Sequence, residues 1–266
     1  KPFCGRVKIT QTNTIMSWIN LRPKVKIVLV GNEYGTKTIA EKYDLCHIKQ
    51  VERNQFGTPL VKSVFKAGEE NTPDRILAYV NADVILFENF ITTIKKVRGK
   101  FDKFLIIGRR TDMDIGRYID FNDQIAMNNL IGEIRSKGKM HGEIGIDYLI
   151  YSKGLWGDIP PFALGRPVYD HWMVWRARQK KAAVIDATEY LTALHQNHNY
   201  NHVGGGYYGK RYQKEMQVNQ LIAGERRMTI ADANYVLTNH GLVRRGTLQK
   251  DIILKLRPVL NSRLVQ

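Results

Sequence analysis

Short apolar runs alternate with amphipathic segments from the start of the chain to about residue 200. Runs without helical spacing predict strands at 7–10, 25–30, 46–48, 76–80, 104–108, 146–151 and 182–185. Apolar residues at helical spacing predict helices at 15–21, 36–43, 59–65, 88–97, 122–137 and 173–178. Alternating strands and helices are typical of α/β folds, so we expect a Rossmann-like mixed, mostly parallel sheet flanked by helices.

The composition changes after the three glycines at 204–206. Residues 1–206 are predicted to form one α/β domain, with a nucleotide-binding half at about 1–108 and a second half at about 109–206. A basic, glutamine-rich helix is predicted at 207–223, and shorter helical pieces are expected up to residue 266. Residues 207–266 are therefore predicted to be a C-terminal helical extension that packs on the α/β domain or on a partner.

Charge is the unusual feature of the composition. The 266 residues include 41 basic and 25 acidic side chains, for a formal net charge of +16, whereas the hydrophobic content of 43% is ordinary. This excess favours an anionic partner, such as a nucleotide diphosphate, an acidic membrane surface, a charged polysaccharide or nucleic acid. The basic residues are scattered, so a diffuse solubilising surface is the alternative explanation.

Cysteine content and hydropathy bear on the compartment. Cys4 and Cys46 are too few for a disulfide framework or a zinc cluster, which favours the cytosol. No apolar run approaches the ~20 residues that span a bilayer, and no secretory signal opens the chain. We therefore expect a cytoplasmic protein without a transmembrane segment, and its charge leaves peripheral membrane association open.

The apolar run at 76–80 predicts a strand buried on both faces, and it ends in the polar tripeptide Asn81-Ala82-Asp83. Ligands of open α/β sheets lie at the carboxyl ends of the strands. Two oxygen-bearing side chains at i and i+2 can both face a hard cation that bridges a diphosphate. The competing interpretation is a strand-terminal turn in which Asn and Asp cap the next segment.

Other polar residues follow predicted strands or precede predicted helices, where a nucleotide would lie. With the tripeptide, the candidates for nucleotide contacts are Gln11, Asn13, Asn32, Glu33, Arg53, Asn54, Thr58, Asn81, Ala82, Asp83, Arg109 and Arg110. A helix that starts after a Thr58 cap would direct its amino terminus, beside Arg53, towards an anion. Structural capping and surface ion pairing are the alternatives.

Two further carboxylates and three histidines are candidates for chemistry. Asp147 lies near the start of a predicted strand, and Asp170 lies where a helix dipole would stabilise its ionised form or where it would simply cap the helix. His195, His198 and His202 share one predicted loop, but the lack of cysteines and of a HExxH pattern argues against zinc. One histidine that joins Asp83 on a divalent ion is favoured, and a polar loop with satisfied histidines is the alternative.

Several short motifs occur in order between Gly5 and about Gly206. They are residues 23–31, Glu52-Arg53-Asn54, Gly57-Thr58-Pro59-Leu60, Tyr79-Val80-Asn81-Ala82-Asp83, Gly108-Arg109-Arg110, Gly145-Ile146-Asp147-Tyr148, Ile159-Pro160-Pro161-Phe162-Ala163, Gly165-Arg166-Pro167 and His195-Gln196-Asn197-His198. Together they resemble a group of bacterial and viral nucleotide-sugar glycosyltransferases of the GT-A fold. The tripeptide at 81–83 is similar to a variant of the Asp-x-Asp motif of that family, with Asn81 in place of the first Asp.

The resemblance implies a GT-A catalytic domain at 1–206, in which the second half binds the acceptor. It implies that Asp83 is a ligand of the metal or the diphosphate, that Asp170 is the catalytic base and that His195 is a metal ligand. Asp147 is the second candidate for a catalytic carboxylate, or a group that binds donor-sugar hydroxyls. The implied cofactor is Mn²⁺ or Mg²⁺, and the implied donor is a nucleotide-diphosphate sugar such as a UDP-sugar. Asn81 lowers the charge at this site, so the use of Arg or Lys instead of a metal also remains open.

The expected activity is sugar transfer from this donor to an acceptor hydroxyl, with inversion, on a saccharide, a glycolipid or another lipid-linked saccharide. A transfer that retains the configuration at the anomeric carbon would need no such base. Transfer to modified bases of DNA is an alternative that the net charge of +16 favours. A catalytically inactive module that binds a nucleotide or a sugar is a further alternative, which is favoured by Asn81 in place of the first Asp. A nucleotidyltransferase is disfavoured, because Gln11-Thr12-Asn13-Thr14 does not resemble the glycine-rich loop that follows the first strand of such enzymes.

Overall fold

A computed structural model of the protein describes residues 1–198 and 209–246. This part of the chain is mixed α/β, with three sheets flanked by seven α-helices. The helices are α1 Gly5–Ile19, α2 Thr36–Lys42, α3 Val61–Glu70, α4 Asn89–Val97, α5 Gln124–Lys137, α6 Tyr169–Gln179 and α7 Lys210–Ala223. The strands are β1 Val28–Val30, β2 Cys46–Ile48, β3 Ile76–Val80, β4 Val84–Leu86, β5 Phe104–Ile107, β6 Thr111–Met113, β7 Lys139–Met140, β8 Tyr148–Ser152, β9 Ala183–Asp186, β10 Ala193–Gln196, β11 Tyr235–Thr238 and β12 Gly241–Arg244.

The largest sheet has six strands in the order β12-β11-β9-β5-β8-β3. Strands β5, β9 and β11 run parallel, whereas β8 pairs antiparallel with both β3 and β5. Over the described residues, four strand pairs are parallel and five are antiparallel. The sheets are mixed as expected, but the prediction of a mostly parallel arrangement is wrong, because β8, β4 and the hairpin strand β12 enter antiparallel.

A second sheet, in the order β4-β10-β6-β7, lies against α1. The hydroxyl of Ser17 accepts a hydrogen bond from the backbone amide of Leu86, and the indole of Trp18 donates to the carbonyl of Val84. The sequence predicted residues 84–86 only as a lead into a helix, and residues 194–202 as a loop. Their three- and four-residue strands are too short to show a hydrophobic period.

The strand predicted at 7–10 is wrong, because these residues lie in α1. The face that α1 buries carries Thr10, Asn13, Thr14 and Ser17, and only Ile15 among its fully buried residues is apolar. The amide of Asn13 bonds to the side chain of Gln196 and to backbone groups of residues 117 and 119. A helix held by buried polar contacts lacks the apolar stripe on which its prediction depends.

The central sheet has an apolar core on each face. One face packs against α3 and α6, where Phe65, Tyr151 and Trp156 form an aromatic cluster with ring centroids 4.4–5.5 Å apart. The other face packs against α4 through Phe90 and Ile91. Strand β3 is the outer strand on one side and is half-buried, so the prediction that it is buried on both faces is wrong.

The chain after residue 209 begins with a helix, but it does not continue as helices. After α7 and the short 3-10 helix Ile230–Asp232, β11 pairs parallel with β9 and extends the central sheet, and β12 completes a hairpin. The prediction of helical pieces is therefore wrong at 235–244. The predictions for 207–208 and 247–266 lie outside the described residues.

Helix α7 is anchored to the α/β domain by a buried ion pair. Glu215 is 1% exposed and accepts hydrogen bonds from Arg166 and from the amide of Asn54. Arg166 also lies over the ring of Tyr212, with 4.7 Å between the guanidinium carbon and the ring centroid. None of the described helices is both long enough and apolar enough to cross a bilayer.

Candidate functional site

A cleft of about 1850 Å³ runs between β1 and β3 and reaches the carboxyl end of β3. Twelve residues that the sequence singled out line it: Gln11, Glu33, Arg53, Thr58, Asn81, Ala82, Asp83, Arg110, Asp147, Asp170, His195 and His198. Other polar residues line it too, among them Lys1, His141, Arg166 and Arg211. Asp83 and Asp170 thus open into one shared cleft.

Asp83, His195 and His198 form the centre of the site. Each offers one ligand atom, and these atoms lie within 4.8 Å of one another. The Nε2 atom of His198 is 2.9 Å from Oδ2 of Asp83, and the Nε2 atom of His195 is 4.0 Å from Oδ1. The carboxylate is 6% exposed, and its Oδ1 atom has no hydrogen-bond partner in the described part of the chain.

Strand pairing brings these residues together across more than a hundred positions of sequence. In the second sheet, His195 lies opposite Val84 of β4 and opposite Asp112 of β6. The backbone amide of Gln196 donates to the carbonyl of Asp83 over 3.0 Å. The positions of His195 and Asp83 are therefore set by backbone hydrogen bonds, which hold a site more rigidly than a loop does.

The ammonium group of Lys1 contacts two of the three ligand atoms. Its Nζ atom is 2.6 Å from Oδ2 of Asp83 and 2.8 Å from Nε2 of His198. Burial alone would raise the pKa of Asp83, but Lys1 and the two histidines outweigh it and hold that pKa well below its usual range. The site therefore holds an ionised carboxylate with a positive charge at the position that a cation would take.

The three side chains suit a divalent metal ion. The unpaired buried oxygen of Asp83 is costly unless something binds it, and two imidazoles complete a compact set of one oxygen and two nitrogens. Burial lowers the pKa of His195, a direction that favours the neutral ring a metal ligand requires. The sequence predicted Asp83 and a single histidine, whereas the structure brings two, His195 and His198, to the carboxylate. His202 lies outside the described residues.

Asp112 contacts three side chains beside this centre. Its Oδ1 atom lies 2.9 Å from Nδ1 of His195 and 2.7 Å from Nε of Arg110, and its Oδ2 atom lies 2.7 Å from Nδ1 of His141. Partial burial would raise the pKa of Asp112, but His141 and Arg110 lower it below its ordinary value. An ionised carboxylate therefore lies behind His195.

Asp147 is held on both of its oxygens. The amide of Asn81 donates to Oδ1 over 2.5 Å, and the guanidinium of Arg110 pairs with Oδ2. The hydroxyl of Tyr79 in turn donates to the amide oxygen of Asn81 over 2.8 Å. A carboxylate whose two oxygens are both engaged in this way is poorly placed to accept a proton.

Asp170 lies in the first turn of α6, as the sequence indicated, and its side chain is 15% exposed. Burial raises the pKa of Asp170 to about 6, against the opposing effect of His171, whose Nε2 atom is 4.0 Å away, and Asp147 adds a further rise. A carboxylate with this pKa is a better proton acceptor near neutral pH than an exposed one.

A second wall of the cleft carries Arg53, Thr58 and Arg211. Arg53 pairs with Glu33 over 3.0 Å and donates to the carbonyl of Gly57, and Arg211 of α7 donates to the hydroxyl of Thr58 over 2.9 Å. Thr58 does not cap α3, which begins three residues later after Leu60. This wall offers guanidinium and hydroxyl groups to a polar ligand.

Four of the predicted nucleotide contacts do not line the cleft. They are Asn13, Asn32, Asn54 and Arg109. Asn13 is buried within α1, and Asn54 closes a tight turn and bonds to Glu215. Arg109 donates from Nε to the carbonyl of His141. The side chains of Asn13, Asn54 and Arg109 therefore hold segments of the fold together instead of facing the cleft.

The sequence did not assign Asp112, His141 or Lys1 to the site. His198 was one of the three candidate histidines, but a single histidine beside Asp83 was favoured. Asp112 follows a predicted strand together with Arg110, but the sequence does not show that it faces His195. Nothing in the sequence connects Lys1 or His141 to Asp83.

No protein-family model matches the chain, and no curated protein matches it.

Proposed function

We propose that the protein is a metal-dependent glycosyltransferase that moves a sugar from a nucleotide-diphosphate sugar to an acceptor hydroxyl. The observation that carries the proposal is the position of two chemically different groups in one cleft. These are the cluster of Asp83, His195 and His198, which suits a divalent cation, and Asp170, which has the raised pKa of a general base. The motifs that resemble GT-A glycosyltransferases support the same assignment.

Asp83, His195 and His198 would hold the cation. Two imidazole nitrogens beside one carboxylate are a softer set than the oxygen ligands that Mg²⁺ prefers, so Mn²⁺ is the proposed ion. A bound cation supplies Lewis-acid stabilisation for the negative charge that develops on the departing diphosphate. Two of the proposed ligands are positioned by paired strands of the second sheet, because Asp83 directly precedes β4 and His195 lies in β10.

Asp170 is proposed as the general base of an inverting transfer. Its carboxylate takes the proton of the acceptor hydroxyl while the acceptor oxygen bonds to the anomeric carbon. The bond from that carbon to the diphosphate oxygen breaks, and the nucleoside diphosphate leaves with the electron pair. Asp147 does not accept the proton in this step, because Asn81 and Arg110 engage both of its oxygens.

The donor is proposed to lie along the wall formed by Glu33, Arg53 and Thr58, with its diphosphate at Asp83. Arg53 already donates to a backbone carbonyl in this wall, so its guanidinium is held in place for a polar ligand. The acceptor is proposed to enter from the side of Asp170, and a saccharide or a lipid-linked saccharide fits a reaction at a hydroxyl group. The proposed location is the cytoplasm or the cytoplasmic face of a membrane, where the net charge of +16 would favour acidic lipids.

The test is donor turnover by the purified protein. A panel of nucleotide-diphosphate sugars is incubated with Mn²⁺, and the released nucleoside diphosphate is measured with and without candidate acceptors. We expect turnover of at least one donor, its loss in Asp83→Ala, and wild-type turnover in Asp114→Asn, a control whose carboxylate is 82% exposed and outside the cleft. Inversion at the anomeric carbon, read by NMR, is expected for a base at Asp170.

The alternatives give different results in the same experiments. An inactive binding module would show thermal stabilisation by a nucleoside diphosphate without donor turnover. A transferase acting on DNA would bind duplexes with an affinity that falls steeply between low and moderate salt. The absence of both turnover and stabilisation with every nucleotide tested would contradict the proposal.

A further inference from the structure

Asp112 is the only carboxylate that strand register places directly opposite His195 in the described residues. The two residues are paired across β6 and β10. The two nitrogens of the His195 ring face opposite sides, with Nε2 4.0 Å from Asp83 and Nδ1 2.9 Å from Oδ1 of Asp112. One ring nitrogen is thus directed to the proposed metal centre and the other to a carboxylate.

The contact between Asp112 and His195 has the right length but is not an aligned hydrogen bond. The Nδ1 atom of His195 is buried and makes no well-directed hydrogen bond within the described residues, although Oδ1 of Asp112 is within reach. A buried polar atom without a hydrogen-bond partner is costly, so an arrangement that gives this nitrogen a partner is more stable. Asp112 is the nearby group that can accept from it.

We propose that Asp112 is a positioning residue that fixes His195 for metal binding. By accepting the Nδ1–H group it sets the tautomer of the ring and leaves the lone pair of Nε2 on the side of Asp83. This inference rests on the proposed metal centre, because Asp112 acts on the cation only through His195.

The carboxylate of Asp112 is itself held in place. Arg110 contacts Oδ1 over 2.7 Å, and His141 contacts Oδ2 over 2.7 Å. Arg110 is in turn paired with Asp147, so its guanidinium bridges two carboxylates. A group fixed from two sides can hold an imidazole at little further cost in conformational entropy.

His141 provides a matched comparison, because it contacts the same carboxylate but not the three proposed ligands. Loss of its ring removes a neighbour of Asp112 and leaves the contact between Asp112 and His195. If Asp112 acts through His195, removal of His141 has a much smaller effect on metal binding than removal of the carboxylate.

The experiment is calorimetric titration of the full chain, freed of metal by chelation, with Mn²⁺. We expect Asp112→Asn to weaken Mn²⁺ binding about 10–100-fold, as loss of a carboxylate partner of a ligating histidine commonly does. His141→Ala and Asp114→Asn should stay within about threefold of wild type, well below that range. With Co²⁺ as the probe, Asp112→Asn should also change the visible absorption spectrum, which a purely structural role would leave unaltered.

Asp83→Ala separates failure of this inference from failure of the proposed function. Loss of binding in Asp83→Ala together with wild-type affinity and spectrum in a folded Asp112→Asn would overturn the role of Asp112 alone. An unchanged Mn²⁺ affinity in Asp83→Ala would contradict the proposed metal centre, and with it the proposed role of Asp112. An equal loss in His141→Ala would also overturn it, because the integrity of the network would then set the affinity. If Asp112→Asn does not fold, Asp112→Glu, which keeps the charge and shifts the oxygens, is judged by the same criteria.

Discussion

The side-chain amide of Asn81 donates a hydrogen bond to Oδ1 of Asp147 over 2.5 Å. The amide oxygen of Asn81 accepts from Tyr79. An aspartate at this position could not donate, and its carboxylate would lie against that of Asp147. An amide therefore suits position 81 better than a carboxylate, because it donates to Asp147 while His195 and His198 lie beside Asp83.

Replacement of Asn81 by Asp should destabilise the protein rather than strengthen the binding of a cation. We expect Asn81→Asp to lower the free energy of unfolding by about 2 kcal/mol, because a partly buried hydrogen bond is replaced by repulsion between two carboxylates. Urea denaturation at pH 7.5 measures the change, with Asp114→Asn as the control. Wild-type stability together with tighter Mn²⁺ binding would show instead that residue 81 faces the cation.

The activity should depend on the ionisation of Asp170. The pKa of Asp170 is raised to about 6, and a general base works only when ionised. We therefore expect kcat/KM to rise with pH up to about pH 6 and then to level off, as measured over pH 4.5 to 8. Asp170→Asn should lose about 10²–10⁴-fold in turnover at pH 7.5. If Asp170→Asn kept wild-type turnover and the same decrease of kcat/KM at low pH, the general base would be another residue.

The same raised pKa predicts a cost in stability. Since the folded state binds the Asp170 proton more tightly than the unfolded chain, whose carboxyl has the ordinary value of 3.8, the cost is absent below about pH 4 and complete above about pH 6. Asp170→Asn should thus be more stable than wild type by about 3 kcal/mol at pH 7.5, and by little at pH 4. Chemical denaturation at both pH values tests this. Equal stability of the two proteins at pH 7.5 would contradict the burial of an ionised carboxylate.

Lys1 should compete with a cation for Asp83. Its ammonium lies 2.6 Å from Asp83 and 2.8 Å from His198, where a metal would have to displace it. We expect Lys1→Ala to tighten Mn²⁺ binding by about tenfold, because the displacement no longer costs an ion pair. Lys8→Ala, which alters an exposed lysine of α1, is the control. Weaker Mn²⁺ binding in Lys1→Ala would indicate that the ammonium assists the site.

Much of the α/β framework follows from the hydrophobic pattern. Strands β3 and β5 and helices α4 and α5 lie within two residues of their predicted bounds, because their apolar residues recur with the period of a strand or a helix. Asp83 and Asp170, which the sequence singled out separately, both line the cleft.

The parts that sequence did not reveal depend on polar burial and on distant pairing. Helix α1 buries threonine, asparagine and serine, so no apolar stripe marks it. Strands β4, β6 and β10 are each three or four residues long, and their pairing joins residues about 80 to 110 positions apart. His198 and Asp112 enter the site through this pairing, and a single sequence carries no information on which short strands are neighbours.

The most direct test of the proposed metal centre is to locate Mn²⁺ in crystals by anomalous diffraction. We predict one strong peak within about 2.0–2.5 Å of a carboxylate oxygen of Asp83 and of Nε2 of both His195 and His198, with the ammonium of Lys1 moved away. A fully occupied Mn²⁺ elsewhere, with Lys1 still between Asp83 and His198, would contradict it.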